Sequence, residues 1–162
     1  MASENKPSAR EAAQSFISNL ASRQFAPLGD LFAADGTYWV SGEKPKVPWA
    51  GSMPASERLP QLPAMHGNFT SFSIDEKAFV AEGRRAVVEL SVHGIDSAGG
   101  RYDNDVVMIF EVNEDGKIVA LREYLDNMQP LAYFASKNQS GDDVLGLDSN
   151  IGKTLYLNGS LR

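Results

Sequence analysis

The chain has 162 residues, 43% apolar and 22% charged, the balance of one globular domain long enough to close a hydrophobic core. It contains no cysteine, so a disulfide framework and a thiolate-bound metal are both excluded. Two histidines, His66 and His93, supply few ligands for zinc or non-haem iron and leave only an all-carboxylate metal site open. The formal charge of −6 repels phosphate, and no basic stripe with interleaved aromatics is present, which argues against nucleic acid as a partner.

The first residues, Met1 to Pro7, are polar and lead into no apolar run of signal-peptide length. No segment approaches the roughly 20 apolar residues of a membrane span. A cytoplasmic protein that does not bind membranes is the default expectation.

In chain order, Ser8-Ala9-Arg10-Glu11 reads as a capping box, with Ala12, Ala13, Phe16, Ile17 and Leu20 following at helical spacing. A helix of about 14 residues is expected there. A second, short helix is expected from Pro27, burying Leu28, Leu31 and Phe32, with Asp35-Gly36 ending it and turning the chain. Thr37-Tyr38-Trp39-Val40 is β-branched and aromatic and reads as a strand. Gly42 to Met53 reads as a loop, and a third helix over about 55–65 must be shortened or kinked by Pro60 and Pro63.

Four strand-like runs follow: Phe72 to Glu82, Arg85 to Ile95, Tyr102 to Val112 and Lys117 to Asp126. The separators are short and rich in turn residues, which joins neighbouring strands in antiparallel fashion. A meander of that length needs a cover on one face, and the N-terminal helices supply it, so the fold class is α+β with a curved antiparallel sheet around a single cavity. Pro130 to Ser136 reads as a last short helix. Residues 1–136 form the domain, and 137–162 form a polar, Gly-rich extension in which Leu155-Tyr156-Leu157 is the segment expected to dock or to pair with an edge.

Alternation assigns faces. In the last strand Val119, Leu121, Glu123 and Leu125 share one face and Ala120, Arg122, Tyr124 and Asp126 the other. The first set is apolar apart from Glu123, so it is expected inward, and a carboxylate in an apolar wall has the raised pKa that suits a general acid or base. A two-residue turn at Asp115-Gly116 pairs Glu123 with Met108 and puts Tyr102, Asn104, Val106, Met108, Phe110 and Val112 on the inner face. Two registers are open for the preceding strand. A four-residue loop turns Glu89 and His93 inward, and a five-residue loop, Asp96 to Gly100, turns Val88, Leu90 and Val92 inward instead. On the outer face, Arg122 and Asp126 suit a salt bridge or a contact between two copies of the chain.

Gly100-Arg101-Tyr102-Asp103-Asn104, Phe110-Glu111-Val112, Asp115-Gly116-Lys117-Ile118 and Arg122-Glu123-Tyr124-Leu125-Asp126 resemble the C-terminal half of SnoaL-like proteins of the nuclear transport factor 2-like superfamily. Leu31 to Tyr38 resembles the helix-to-strand corner of the same superfamily, and the likeness runs over about 8–135. The resemblance implies a cone-shaped sheet with one cavity, a hydrophobic small-molecule ligand of polyketide or terpenoid type, no cofactor, no metal and a homodimer. It spans isomerases, cyclases, dehydratases, hydrolases and non-catalytic binders, so fold alone does not select a reaction.

The three positions that ketosteroid isomerases use fall on Phe16, Val40 and Met108, all apolar here. Against limonene-epoxide-hydrolase-like enzymes, Tyr38 and Glu123 match, while Val40 replaces an asparagine and Glu89-Leu90-Ser91 stands where an Arg-x-Asp pair is usual. Scytalone-dehydratase-like chemistry uses two histidines, for which His66 and His93 are the only candidates. The expected function is a cofactor-independent acid–base enzyme with Glu123, Tyr38, Asn104, Glu89 and His93 as catalytic candidates. Trp39, Trp49, Met65, His66, Met108, Phe110 and Leu121 are the substrate-binding candidates. The alternative is a non-catalytic binding or dimerisation module.

Overall fold

The structure, a computed structural model, describes residues 6–137. The polar extension beyond Lys137, with Leu155-Tyr156-Leu157, lies outside the described residues. Helix α1 (Ala9–Ala21) starts as the capping box requires: the Glu11 amide donates to Ser8 Oγ at 3.2 Å and the Ser8 amide donates to Glu11 Oε2 at 2.7 Å. Its buried stripe, Ala9, Ala12, Ala13, Phe16 and Leu20, is the one the spacing predicts.

Proline and glycine shape the next stretch. A 3₁₀ turn spans Ala26–Leu31, and Phe32 already begins strand β1 (Phe32–Val40). The expected turn at Asp35-Gly36 does not occur; β1 runs through it with an irregular register between Phe32 and Thr37. Gly36 is what allows this, since a Cβ there would sit 2.8 Å from the Ile118 carbonyl oxygen. Within the expected loop, Gly51–Pro54 forms a short strand β2, antiparallel to the end of β1. Helix α2 (Ala55–Arg58), a 3₁₀ turn at Leu59–Gln61 and helix α3 (Leu62–His66) replace one continuous helix, broken where Pro60 and Pro63 fall.

The four long strands are β3 (Phe69–Glu82), β4 (Arg85–Asp96), β5 (Arg101–Val112) and β6 (Ile118–Leu125), and helix α4 (Met128–Ser136) follows. The sheet order is β2-β1-β6-β5-β4-β3, antiparallel except for the parallel β1–β6 pair. That parallel pair closes one side of the sheet over the chain's N-terminal half and brings β1 beside the last strand.

The register between β4 and β5 is that of the five-residue loop, with Val88 opposite Met108 and Ile95 opposite Arg101. Val88, Leu90 and Val92 therefore face the core, and the alternative that turned Glu89 and His93 inward is corrected. Met108 pairs with Glu123 as expected, by a different route. The β5–β6 turn has three residues, 114–116, with Gly116 at φ 73°, and a bulge between Glu111 and Val112 restores the pairing.

Phe16 is fully buried and meets Phe32, Tyr38 and Phe110 edge to face, with ring centroids 6.1, 6.2 and 5.5 Å away. It joins α1 to two strands, β1 and β5, at once. Phe16→Ala is therefore expected to lower stability by about 3–5 kcal/mol in chemical denaturation. A loss under about 1 kcal/mol would contradict this packing.

Candidate active site

Strand alternation puts Glu123 on the concave side of the sheet, between Met108 of β5 and Val40 of β1. Tyr38 lies two residues before Val40 and shares its face, 1% exposed. The Tyr38 hydroxyl donates to Glu123 Oε2 at 2.6 Å, joining β1 and β6 by their only inward polar side chains. Glu123 is half-buried and lines a cavity with Tyr38, Trp49, Arg58, His66 and Tyr102.

The cavity holds about 40 Å³, room for about three waters at roughly 10–15 Å³ each. Val40, Leu62, Met65, Leu125 and Pro130 complete an otherwise apolar wall. Trp49 is fixed there by its indole N–H, which donates to Asn127 Oδ1 at 2.8 Å. Asn127 in turn donates to the Ser41 carbonyl at 2.9 Å, so the loop after β1 and the start of α4 are tied together behind the indole.

Arg58, the last residue of α2, is 2% exposed. Its Nη2 donates to the Gly51 carbonyl at 3.2 Å, while Nε and Nη1 are buried with no hydrogen-bond partner among the described residues. The guanidinium carbon lies 5.9 Å from the centre of the Tyr38 ring. Sequence reasoning missed Arg58. It sits in a short proline-rich segment without helical periodicity, next to the charged Glu57, and reads there as surface.

Burial dominates the electrostatics. It pushes the Glu123 carboxyl above the usual 4.5, against the hydrogen bond from Tyr38 and the charge of Arg58, which both pull it down. Burial and the neighbouring Glu123 raise the Tyr38 hydroxyl well above 10. Arg58 is lowered from 12.5 by burial, opposed by Tyr38 and Glu123, and remains a cation at neutral pH. Burial lowers His66 to about 4, so it is neutral at pH 7, and its Nδ1 is buried without a partner among the described residues.

Of the expected catalytic set, the structure brings Glu123 and Tyr38 together. Asn104 is buried but occupied: its amide donates to the Tyr102 hydroxyl at 2.9 Å and the Asp126 carbonyl at 3.1 Å, and its Oδ1 accepts from the Asp126 amide. It fastens the ends of β5 and β6 and lies outside the cavity wall. Glu89 is exposed on the outer face, and His93 is there too, 2.6 Å from Asp103 and 3.5 Å from Asp75. Both follow from the corrected β4 register, and the two histidines do not meet in one site.

Of the expected binding residues, Trp49, Met65 and His66 line the cavity. Trp39 does not. It points to the outer face, where its ring centroid lies 5.0 Å from that of Tyr124. Met108, Phe110 and Leu121 are fully packed core rather than cavity wall. Arg122 pairs with Glu111 at 2.7 Å rather than with Asp126, which instead accepts from the Met128 amide at the start of α4.

A curved six-stranded sheet with helices on its concave side, closed over a small polar-tipped cavity, is the architecture of nuclear transport factor 2-like proteins. The SnoaL-like domain family matches residues 13–121, and the chain belongs to that family. UPF0523 protein C of Dictyostelium discoideum is 28% identical over 134 residues, spanning 78% of this chain and 86% of the relative. Among solved structures, an LEH-like epoxide hydrolase of M. tuberculosis superposes with a TM-score of 0.59 at 21% identity, covering 79% of this chain and 89% of its own. Wild-type IdmH, a proposed polyketide cyclase of Streptomyces antibioticus, gives 0.64 at 16% identity, covering 78% and 98%. At these identities the structures share the fold.

His66 sets a pH dependence. Its folded pKa lies below the unfolded value of 6.5, so the unfolded chain binds the extra proton and stability is lost as pH falls from about 6.5 towards about 4. His66→Phe removes this loss. The melting temperature of the variant relative to the parent is expected to rise steadily between pH 7 and pH 4.5, and a constant difference would contradict a buried neutral His66.

Proposed function

We propose that this chain is a cofactor-independent acid–base enzyme that moves a proton on a small, largely apolar molecule, in the manner of an isomerase, cyclase or dehydratase. The observation that supports this best is the Tyr38–Glu123 hydrogen bond inside an apolar cavity. Desolvation raises the Glu123 carboxyl towards neutrality, where a carboxylic acid both gives and takes protons efficiently. In this reading Tyr38 occupies Oε2 and fixes the carboxyl plane, and Oε1 is the atom that meets substrate. Glu123 takes a proton from a carbon next to a carbonyl and returns it at another atom, and the intervening enolate either reprotonates, attacks within the molecule or expels hydroxide.

A second reading, a binding module without turnover, is favoured by the size of the cavity. About 40 Å³ is far below the roughly 300–1,000 Å³ of an ordinary small-molecule site. Under the enzymatic reading the closed cavity receives the reacting end of the substrate, and helices α3 and α4 make way for the rest. Pairing of two copies through the outer sheet face belongs to the same proposal, supported by the exposed Tyr124 beside Trp39.

The test is turnover of a panel of enolisable ketones and β-hydroxy ketones, with exchange of the α-proton for deuterium as the readout. Glu123→Gln keeps the shape and removes the proton shuttle, and is expected to slow exchange by about 100-fold or more. Tyr38→Phe is expected to slow it by about 10-fold, as the carboxyl loses its orientation but not its basicity. Exchange at the parent rate in Glu123→Gln would leave the binding-module reading.

A further inference from the structure

Arg58 is the charged group in the cavity whose donors are unspent among the described residues. A guanidinium offers five N–H donors in a planar fork, and here it is 2% exposed with one bond from Nη2 to a backbone carbonyl. Buried donors without partners are rare because each costs free energy that folding does not return. Nε shares one edge of the fork with Nη2 and Nη1 shares the other, so a carboxylate seated on the Nε–Nη2 edge meets an unpartnered N–H. Among the residues lining the cavity, Arg58 is the one permanent cation, and Glu123 is the one carboxyl group.

The space fits the same ligand. The cavity's 40 Å³ takes about three heavy atoms at roughly 10–15 Å³ each, the size of a carboxylate head. A second hollow of about 20 Å³ adjoins it, sharing Met65, His66, Tyr102 and Pro130, and is walled further out by Phe69, Tyr133 and Phe134. Tyr133, Phe134 and Met65 also border an open recess of about 340 Å³ at the surface. Met65, Tyr133 and Phe134 are thus common to the recess and the second hollow, and Met65, His66 and Tyr102 to that hollow and the cavity that Arg58 lines.

We propose that Arg58 anchors the carboxylate of an aromatic or apolar organic acid, whose body lies along the passage between α3 and α4. This rests on the acid–base reading of the same cavity and deepens it, because it names the substrate class: a carboxylic acid held head-first, with its neighbouring carbon next to Glu123. The carboxylate gives the Nε N–H its hydrogen bond and pairs with the buried cation. Glu123 is then the proton carrier beside an already charged ligand.

The experiment uses the full chain with phenylacetate and its neutral isostere phenylacetamide, followed by ¹H–¹⁵N NMR of the arginine Nε–H signals. Phenylacetate is expected to shift the Arg58 Nε–H signal saturably, and phenylacetamide to leave it in place. Arg58→Met is expected to weaken phenylacetate binding by about tenfold or more. Arg58→Lys, which keeps the charge and loses the fork, is expected to fall between the two, and it serves if the methionine variant does not fold. Glu123→Gln is expected to bind phenylacetate at least as well as the parent, so loss of proton exchange in that variant with binding intact separates failure of the acid–base reading from failure of this one. Equal binding of the acid and the amide, a parent without a saturable Arg58 shift up to about 10 mM, or unchanged affinity in Arg58→Met would each overturn the proposal.

Discussion

The buried hydrogen bond between Tyr38 and Glu123 is the interaction on which the rest of the site depends. It requires β1 and β6 to run side by side in parallel, which the sheet achieves by returning the last strand next to the first long one. It also requires both side chains to fall on the concave face, which the β5–β6 bulge secures by keeping Met108 opposite Glu123. A slip of one residue in either strand would send the carboxyl to solvent and bring an outer residue into the core. The apolar wall then does the chemical work: the same burial that raises Glu123 also keeps Tyr38 protonated and His66 neutral.

The sheet's inner face was legible in the sequence wherever alternation was clean. Val106, Met108, Phe110 and Val112 in β5, and Glu123 as the polar exception in β6, follow from side-chain period alone. Hydrophobicity also pointed to the right register in β4, since Val88, Leu90 and Val92 bury where Glu89 and His93 would have carried charge inward. The four-residue loop was the other register left open. The five-residue loop, closed by Asp96 accepting from the Ala98 and Gly100 amides at 2.9 Å, decides between them.

What was illegible depends on tertiary contacts. Gly36 reads as a turn residue, but its missing side chain serves a close approach to the Ile118 carbonyl within a continuous strand. Asn104 reads as a functional polar residue in an apolar face, and is instead satisfied by the Tyr102 hydroxyl and the Asp126 backbone. Arg58 gave no signal, because nothing local shows that a short segment broken by Pro60 and Pro63 will fold its guanidinium over the Tyr38 ring and into the core. A fold of this kind hosts unrelated functions, so the polar groups at its concave tip and not the scaffold carry the chemistry.

The central claim, a desolvated glutamate held by Tyr38 beside a buried cation, is tested most directly by following the side-chain carboxyl carbons through a pH titration by NMR, in the parent and in Glu123→Gln. The account predicts one glutamate titrating above the usual 4.5 that is absent from the variant. It also predicts that this carboxyl moves higher still in Arg58→Met, where the opposing positive charge is gone. If the signal lost in Glu123→Gln titrates at or below the usual value, the carboxyl is solvated and the acid–base site as described does not exist.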